Sequence, residues 1–278
     1  MNRLDNTAPN RALRVEKGRK CWLLLAALLL LIATGACRKG QTAPEDRGTV
    51  KPAAEAITQA DQLYAGRADL TKIRQALVTL RQAQADDATN YELAWRLAKF
   101  NYYLGAHSSD SSEKEKSFHD GIEAGKLAVK LQDGKPDGHF WLGASYGGNA
   151  KLSVLAGLSD FEDIKQEMET VIKLDEGYQS GSAYMALGQL YLEAPRVLGG
   201  DSQKALEYLE KGIRLGPNNA LLRWHLAAAY AELHRNDDAR KQIDYLLAMK
   251  PAPGYEPEYE EAVAEVRKLQ EKLKQENR

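Results

Sequence analysis

One stretch constrains this chain more than any other: ALLRWHLAAAYAELHRNDDARKQIDYLLAMKP, residues 220–251. Leu226 and Ala227 lie four and three residues before Tyr230, so all three share one face of a helix. Ala239, Ile243 and Leu246 repeat that spacing on a second helix. The run His234-Arg235-Asn236-Asp237 reads as the turn between them. Pro251 ends the second helix, because proline has no N–H to give to a helix interior. The small residues Ala227 and Ala239 let the two helices approach closely. The unit is a helical hairpin with an apolar seam.

The pattern recurs upstream. Trp95, Leu97 and Ala98 open one unit, Leu142-Gly143 with Tyr146 another, and Leu187-Gly188 with Tyr191 a third. Second-helix spacings follow at Ala76, Leu80 and Ala83, at Gly121, Gly125 and Ala128, at Val171, Ile172 and Leu174, and at Ala205 and Leu209. This resembles the tetratricopeptide repeat, whose period is about 34 residues. The repeat departs from that pattern only at Arg223, where an aromatic is usual and where Trp224 stands next to it. The resemblance implies an all-α, TPR-like solenoid of antiparallel hairpins over residues 53–255, with four good hairpins and a degenerate first one. Enlarged inter-helix loops are expected at 107–112, 149–163 and 194–201. Residues 256–278 form a C-terminal capping helix, with Ala262, Val266, Leu269 and Leu273 on one stripe; such a helix covers the last apolar face of a solenoid.

The first 36 residues carry an export signature instead. A basic lead (Arg3, Arg11, Arg14, Lys17, Arg19, Lys20) precedes an apolar run at 22–32. That run is too short to span a bilayer, which needs about 20 residues. With the small residues Ala33-Thr34-Gly35-Ala36 it forms a secretion signal. Cys37 follows directly, as in a bacterial lipobox, with Thr34 where leucine is usual. Cys21 lies in the signal, so Cys37 is the one thiol of the mature chain and has no partner for a disulfide. Lipidation of Cys37 is the expectation; a plain signal peptide with a chance cysteine is the alternative. Arg38 is compatible with delivery to the outer membrane, facing the periplasm. Removing residues 1–36 takes away six basic and two acidic side chains of 38 and 39, leaving a formal charge of −5 and no basic stripe for nucleic acid. Residues 37–52 read as a flexible tether.

Three stretches narrow the resemblance: GIEAGKLAVKL at 121–131, HFWLGASYGGNAKLSVLAG at 139–157 and YMALGQLYLEAPRVLGGDSQKALEYLEKGI at 184–213. They resemble the bacterial TRAP transporter T-component family of lipoproteins. That resemblance implies an accessory that accompanies a periplasmic substrate-binding protein and holds an apolar or organic-acid ligand. The middle stretch also resembles eukaryotic regulators of microtubule dynamics, an assignment the lipobox argues against.

Candidate chemistry is sparse. Gly143-Ala144-Ser145-Tyr146-Gly147 matches G-x-S-x-G, but a nucleophile elbow needs a strand entering a tight turn, and Ser145 lies inside a predicted helix. A hydrolase using Ser145 is the remote reading, and the chain is expected not to be an enzyme. Histidines 107, 119, 139, 225 and 234 show no metal-ligand spacing, so no metal and no cofactor are expected. His119-Asp120 reads as a solvated helix start, and Asp201 as the cap of the helix after Gly199-Gly200. The inner face is more informative. Two residues before each signature leucine stand Trp95, Phe140, Met185 and Trp224, with Lys99 the one cation on the line. An apolar concave groove of this kind fits a protein partner, an apolar ligand, or a plug supplied by the chain itself. The leading reading is a lipid-anchored adaptor for a protein partner, in which a homo-oligomer is also possible.

Overall fold

A computed structural model describes residues 52–275 of the 278-residue chain. The leader, Cys37 and most of the tether lie outside the described residues.

Within that range the chain forms eleven α-helices, and no strand occurs among the described residues. They pair into five antiparallel hairpins: α1 Ala53–Ala65 with α2 Leu70–Asp86, α3 Tyr91–His107 with α4 Ser111–Leu131, α5 Pro136–Ala150 with α6 Val154–Leu174, α7 Tyr178–Glu193 with α8 Ser202–Leu215, and α9 Ala220–Glu232 with α10 Asn236–Ala248. The last helix, α11 Glu256–Gln275, packs on α9 and α10. It buries Ala262, Val266 and Leu273 against Leu226, Ala227, Ile243 and Leu246. The all-α hairpin solenoid is therefore the fold.

The helix starts are written in short polar side chains. Asp69, Asn90, Asp110, Ser153, Asp201 and Asn219 each accept a hydrogen bond from a backbone N–H of the first turn. These bonds satisfy donors that have no partner within the helix. Pro136 opens α5, where a missing N–H costs nothing.

Two of the three expected loops are helix instead. The turn between α3 and α4 is only residues 108–110, and that between α5 and α6 only 151–153. The additional residues lengthen α4 and α6 to 21 each. Capping explains the first case. Asp110 accepts from Glu113 N–H at 2.7 Å, while the Glu113 carboxylate accepts from Ser108 Oγ at 2.6 Å. The Asp110 N–H donates in turn to Ser108 Oγ, so Ser108, Asp110 and Glu113 together start a helix in a run that reads as polar loop. Only the connection from α7 to α8 is expanded, with a 3-10 turn at Arg196–Leu198.

Small residues close the crossing within a hairpin at α7 and α8 and the crossing between hairpins at α4 and α5. A Cβ at Gly188 would stand 2.4 Å from Leu209 Cγ, and one at Gly125 would stand 2.8 Å from the Leu142 backbone. At the start of α7, Gln179, Ser180 and Gly181 all have positive φ, and Gly181 meets the carbonyl of Gly212 where a Cβ would lie 2.7 Å away. Glycine is required at 181 on both counts.

Candidate partner-binding face

The first helices of successive hairpins touch one another, α1 with α3, α3 with α5, α5 with α7, α7 with α9, and α9 with α11. The second helices make no comparable contacts among themselves. The odd-numbered helices therefore form the inner face.

At its N-terminal end that face holds an aromatic cluster around one cation. Lys99 Nζ on α3 lies 4.3 Å from the ring centre of Tyr64, 5.5 Å from Trp141 and 6.0 Å from Trp95. All three distances suit a cation–π contact. Among the described residues no carboxylate forms an ion pair with this ammonium. Burial disfavours its charged form and moves its pKa down to about 8. The Trp141 indole N–H is buried and has no acceptor among the described residues. Trp95 is oriented from both sides: its Nε1–H donates to Glu92 at 2.9 Å, and the Arg96 guanidinium sits 4.2 Å over its ring. Arg96 is itself anchored by Asp61 and Glu92.

The other members of the predicted line are placed differently from one another. Phe140 is buried, edge-on to Trp141 at 4.9 Å and 5.2 Å from Tyr178. Met185 is half-buried. Trp224 is half-buried, stacks on His225 at 4.2 Å and joins the apolar cluster that α9, α10 and α11 share. Trp95 and Lys99 are thus brought together, whereas Phe140 belongs to the packing between α5 and α7.

Sequence reasoning about the line missed Tyr64, Arg67 and Trp141. Arg67, in the turn after α1, is 4% exposed and reaches the far end of the array. Its Nε donates to Glu258 Oε1 at 3.0 Å, and its Nη2 donates to Glu258 Oε2 and to the carbonyl oxygen of Gly254. The guanidinium also lies 5.0 Å over the Tyr64 ring. One turn further along α11, Glu261 comes within 3.9 Å of His107 Nε2. Burial works against a charged His107, but Glu261 and the carbonyl of Tyr103 outweigh it and its pKa is raised. The first turn of α11 therefore borders the same end of the face that Lys99 occupies.

The remaining candidates are packing or surface residues. Ser145 is fully buried in mid-α5, and its hydroxyl donates to the Trp141 carbonyl at 2.7 Å. No tight strand-to-helix turn exposes it, so the G-x-S-x-G match is a helix crossing. Asp120 pairs with Arg81 at 2.8 Å and Lys116 at 2.7 Å, while His119 lines a shallow hollow with Ser111, Glu115 and Asn149. Asp201 caps α8, accepting at 3.0 and 3.1 Å. Among the described residues no group of three His, Cys, Asp or Glu side chains is set for a metal ion.

The family model described as regulator of microtubule dynamics protein 1-3 matches residues 56–194, half of the chain. The chain belongs to that family. The resemblance that the lipobox argues against is thus the one that holds from α1 to the end of α7, and the T-component resemblance is not confirmed. No curated protein matches the sequence. Among solved structures, the family member here is similar to TTC0263, a thermophilic TPR protein of Thermus thermophilus. That likeness has a TM-score of 0.59 at 20% identity and covers 77% of this chain and 97% of the other. It is also similar to PilF of Pseudomonas aeruginosa, with a TM-score of 0.51 at 18% identity, covering 77% and 89%. Likeness at these identities establishes the TPR-type fold for this member of the family.

Proposed function

We propose that this chain is a non-catalytic adaptor that binds a protein partner through the inner face of its hairpin array. The observation that carries this reading is the cluster of Tyr64, Trp95 and Trp141 around Lys99 on that face. Aromatic side chains bury large areas with few rotatable bonds and serve as binding anchors. The candidate serine is buried, which favours binding over hydrolysis. The family's name speaks of microtubule dynamics; for this chain the run 33–37 favours a bacterial envelope, with Cys37 acylated and the array facing the periplasm from the outer membrane. The substrate-binding protein of a TRAP-type transporter is a specific candidate partner. A second reading, an accessory that holds an organic acid, is favoured by Lys99, a cation without a paired carboxylate.

The test is affinity capture from membranes followed by mass spectrometry, comparing wild type with Trp95→Ala and Trp224→Ala. Trp95→Ala should lose the partner while the chain stays folded by circular dichroism at the capture temperature, even though Trp95 also packs against the core. Trp224→Ala should lower the melting temperature first, because Trp224 packs with the α11 cluster. Normal capture by Trp95→Ala would sink the proposed face. Cys37→Ser should release the protein from membranes; retention there would refute the lipid anchor.

A further inference from the structure

We propose that the end of the inner face around Arg67 and Lys99 is a docking site for an acidic helical segment of a protein partner, and that the first turn of α11 occupies the edge of that site in cis. The inference deepens the adaptor reading and rests on it for the nature of the partner.

Four observations converge. First, Arg67 takes both oxygens of Glu258, 191 residues away in sequence, and the carbonyl of Gly254, 187 residues away. This contact is polar, whereas the apolar packing of α11 is directed to α9 and α10. Second, Glu258 and Glu261 sit one helical turn apart and face Arg67 and His107, so the chain itself shows how a helix presents carboxylates to this end of the face. Third, Lys99 shares the Tyr64 ring with Arg67 and is flanked by ring faces, with no carboxylate in an ion pair with it among the described residues. Fourth, the buried indole N–H of Trp141, whose ring Lys99 overlies, lacks an acceptor. A buried donor without a partner is costly, and a cation between rings gains from a counter-ion. In the folded chain Glu258 is held by Arg67 and does not pair with Lys99; an acidic helix free of that tether and seated deeper would bring a carboxylate onto Lys99 and an acceptor toward Trp141.

The occupant is an acidic helix and not a second copy of the inner face. Displacing the first turn of α11 would free Arg67 and His107 of Glu258 and Glu261 and leave them beside Lys99 as unpaired cations, while Arg96 stays held by Asp61 and Glu92. Acidic residues recur along the first turns of α11, at Glu256, Glu258, Glu260 and Glu261. A partner helix with carboxylates on one face would compete with that turn and swing it aside about its hold on α9 and α10.

The test uses the full chain and a synthetic peptide of its own residues 254–267 as the probe. Glu258→Gln weakens the cis contact and should bind the peptide at least tenfold more tightly than wild type. The same peptide carrying glutamine at the positions of Glu258 and Glu261 should not bind. Adding Lys99→Met to Glu258→Gln should return affinity to the wild-type level, with helicity by circular dichroism unchanged. Glu261→Gln is a milder variant that should shift affinity in the same direction. No gain in either variant, or a gain that Lys99→Met leaves intact, would overturn the site. Equal competition by free succinate would overturn the helical partner and leave a small-acid site. Partner capture by wild type without peptide binding by Glu258→Gln would refute this site while the adaptor reading stands.

Discussion

Gly188 and two histidines show how single residues set the tolerances of this array. Gly188→Leu places a side chain where Leu209 already lies 2.4 Å from the Cβ position. Overpacking of this kind costs about 1–3 kcal/mol, so the melting temperature should fall; an unchanged value would refute the close crossing of α7 and α8. His225, 4% exposed, has its pKa pushed down to about 4 by burial. The unfolded chain then takes up a proton there that the folded chain refuses, and stability is lost as pH falls from about 6.5 toward 4, by up to about 1.4 kcal/mol per pH unit. His139 behaves oppositely. Its Nδ1 is 2.6 Å from Glu167, which raises its pKa against the opposing effect of burial. Its stabilisation is complete below about pH 6.5 and is lost as pH rises through the folded pKa. Urea titrations at pH 5, 6.5 and 8 should show His225→Leu flattening the acid side and His139→Gln the alkaline side. Neither effect is legible in the sequence. Glu167 lies 28 residues from His139, and no spacing rule links a residue on the first helix of a hairpin to one on the second.

At the level of helices, capping decides where elements begin. Asp201→Ala removes the acceptor for Gln203 and Lys204 N–H at the start of α8. Such a loss costs about 1 kcal/mol, measurable as a lower urea midpoint with an unchanged slope; no shift would mean that water replaces the cap. This cap is readable in the sequence because Gly199-Gly200-Asp201 precedes a strongly periodic run. The hairpins themselves are equally readable, since leucine, a small residue and tyrosine return at helical spacing. The starts of α4 and α6 are not. The polar opening of α4 and the glycine-containing opening of α6 look like loop until Asp110 and Ser153 are seen to cap them, and length alone does not separate a long turn from an extended helix. The left-handed turn at 179–181 is equally silent, because only Gly181 among its three residues signals positive φ. The line Trp95, Phe140, Met185 and Trp224 is a count by register. Register fixes which face of a helix a residue occupies, but the neighbouring hairpins decide whether that face stays open. Tyr178 closes over Phe140, and no pattern within α5 could show it.

Across the whole array, the bond between Arg67 and Glu258 joins the turn after the first helix to the beginning of the last. Repeat arrays ordinarily behave as one-dimensional stacks, in which each unit senses only its neighbours and the ends fray independently. A tie between the ends removes that independence. Opening of α1 and α2 to solvent exchange must break the same contact that holds the first turn of α11. The two termini should then exchange their amide hydrogens as one cooperative unit instead of as separate fringes. Arg67→Gln should raise exchange in α11 as well as in α1, while α5 and α6, between them, keep their protection. Faster exchange confined to α1 would mean that the ends fray alone. The ends of such a stack are its weakest part, and here one arginine makes each of them depend on the other.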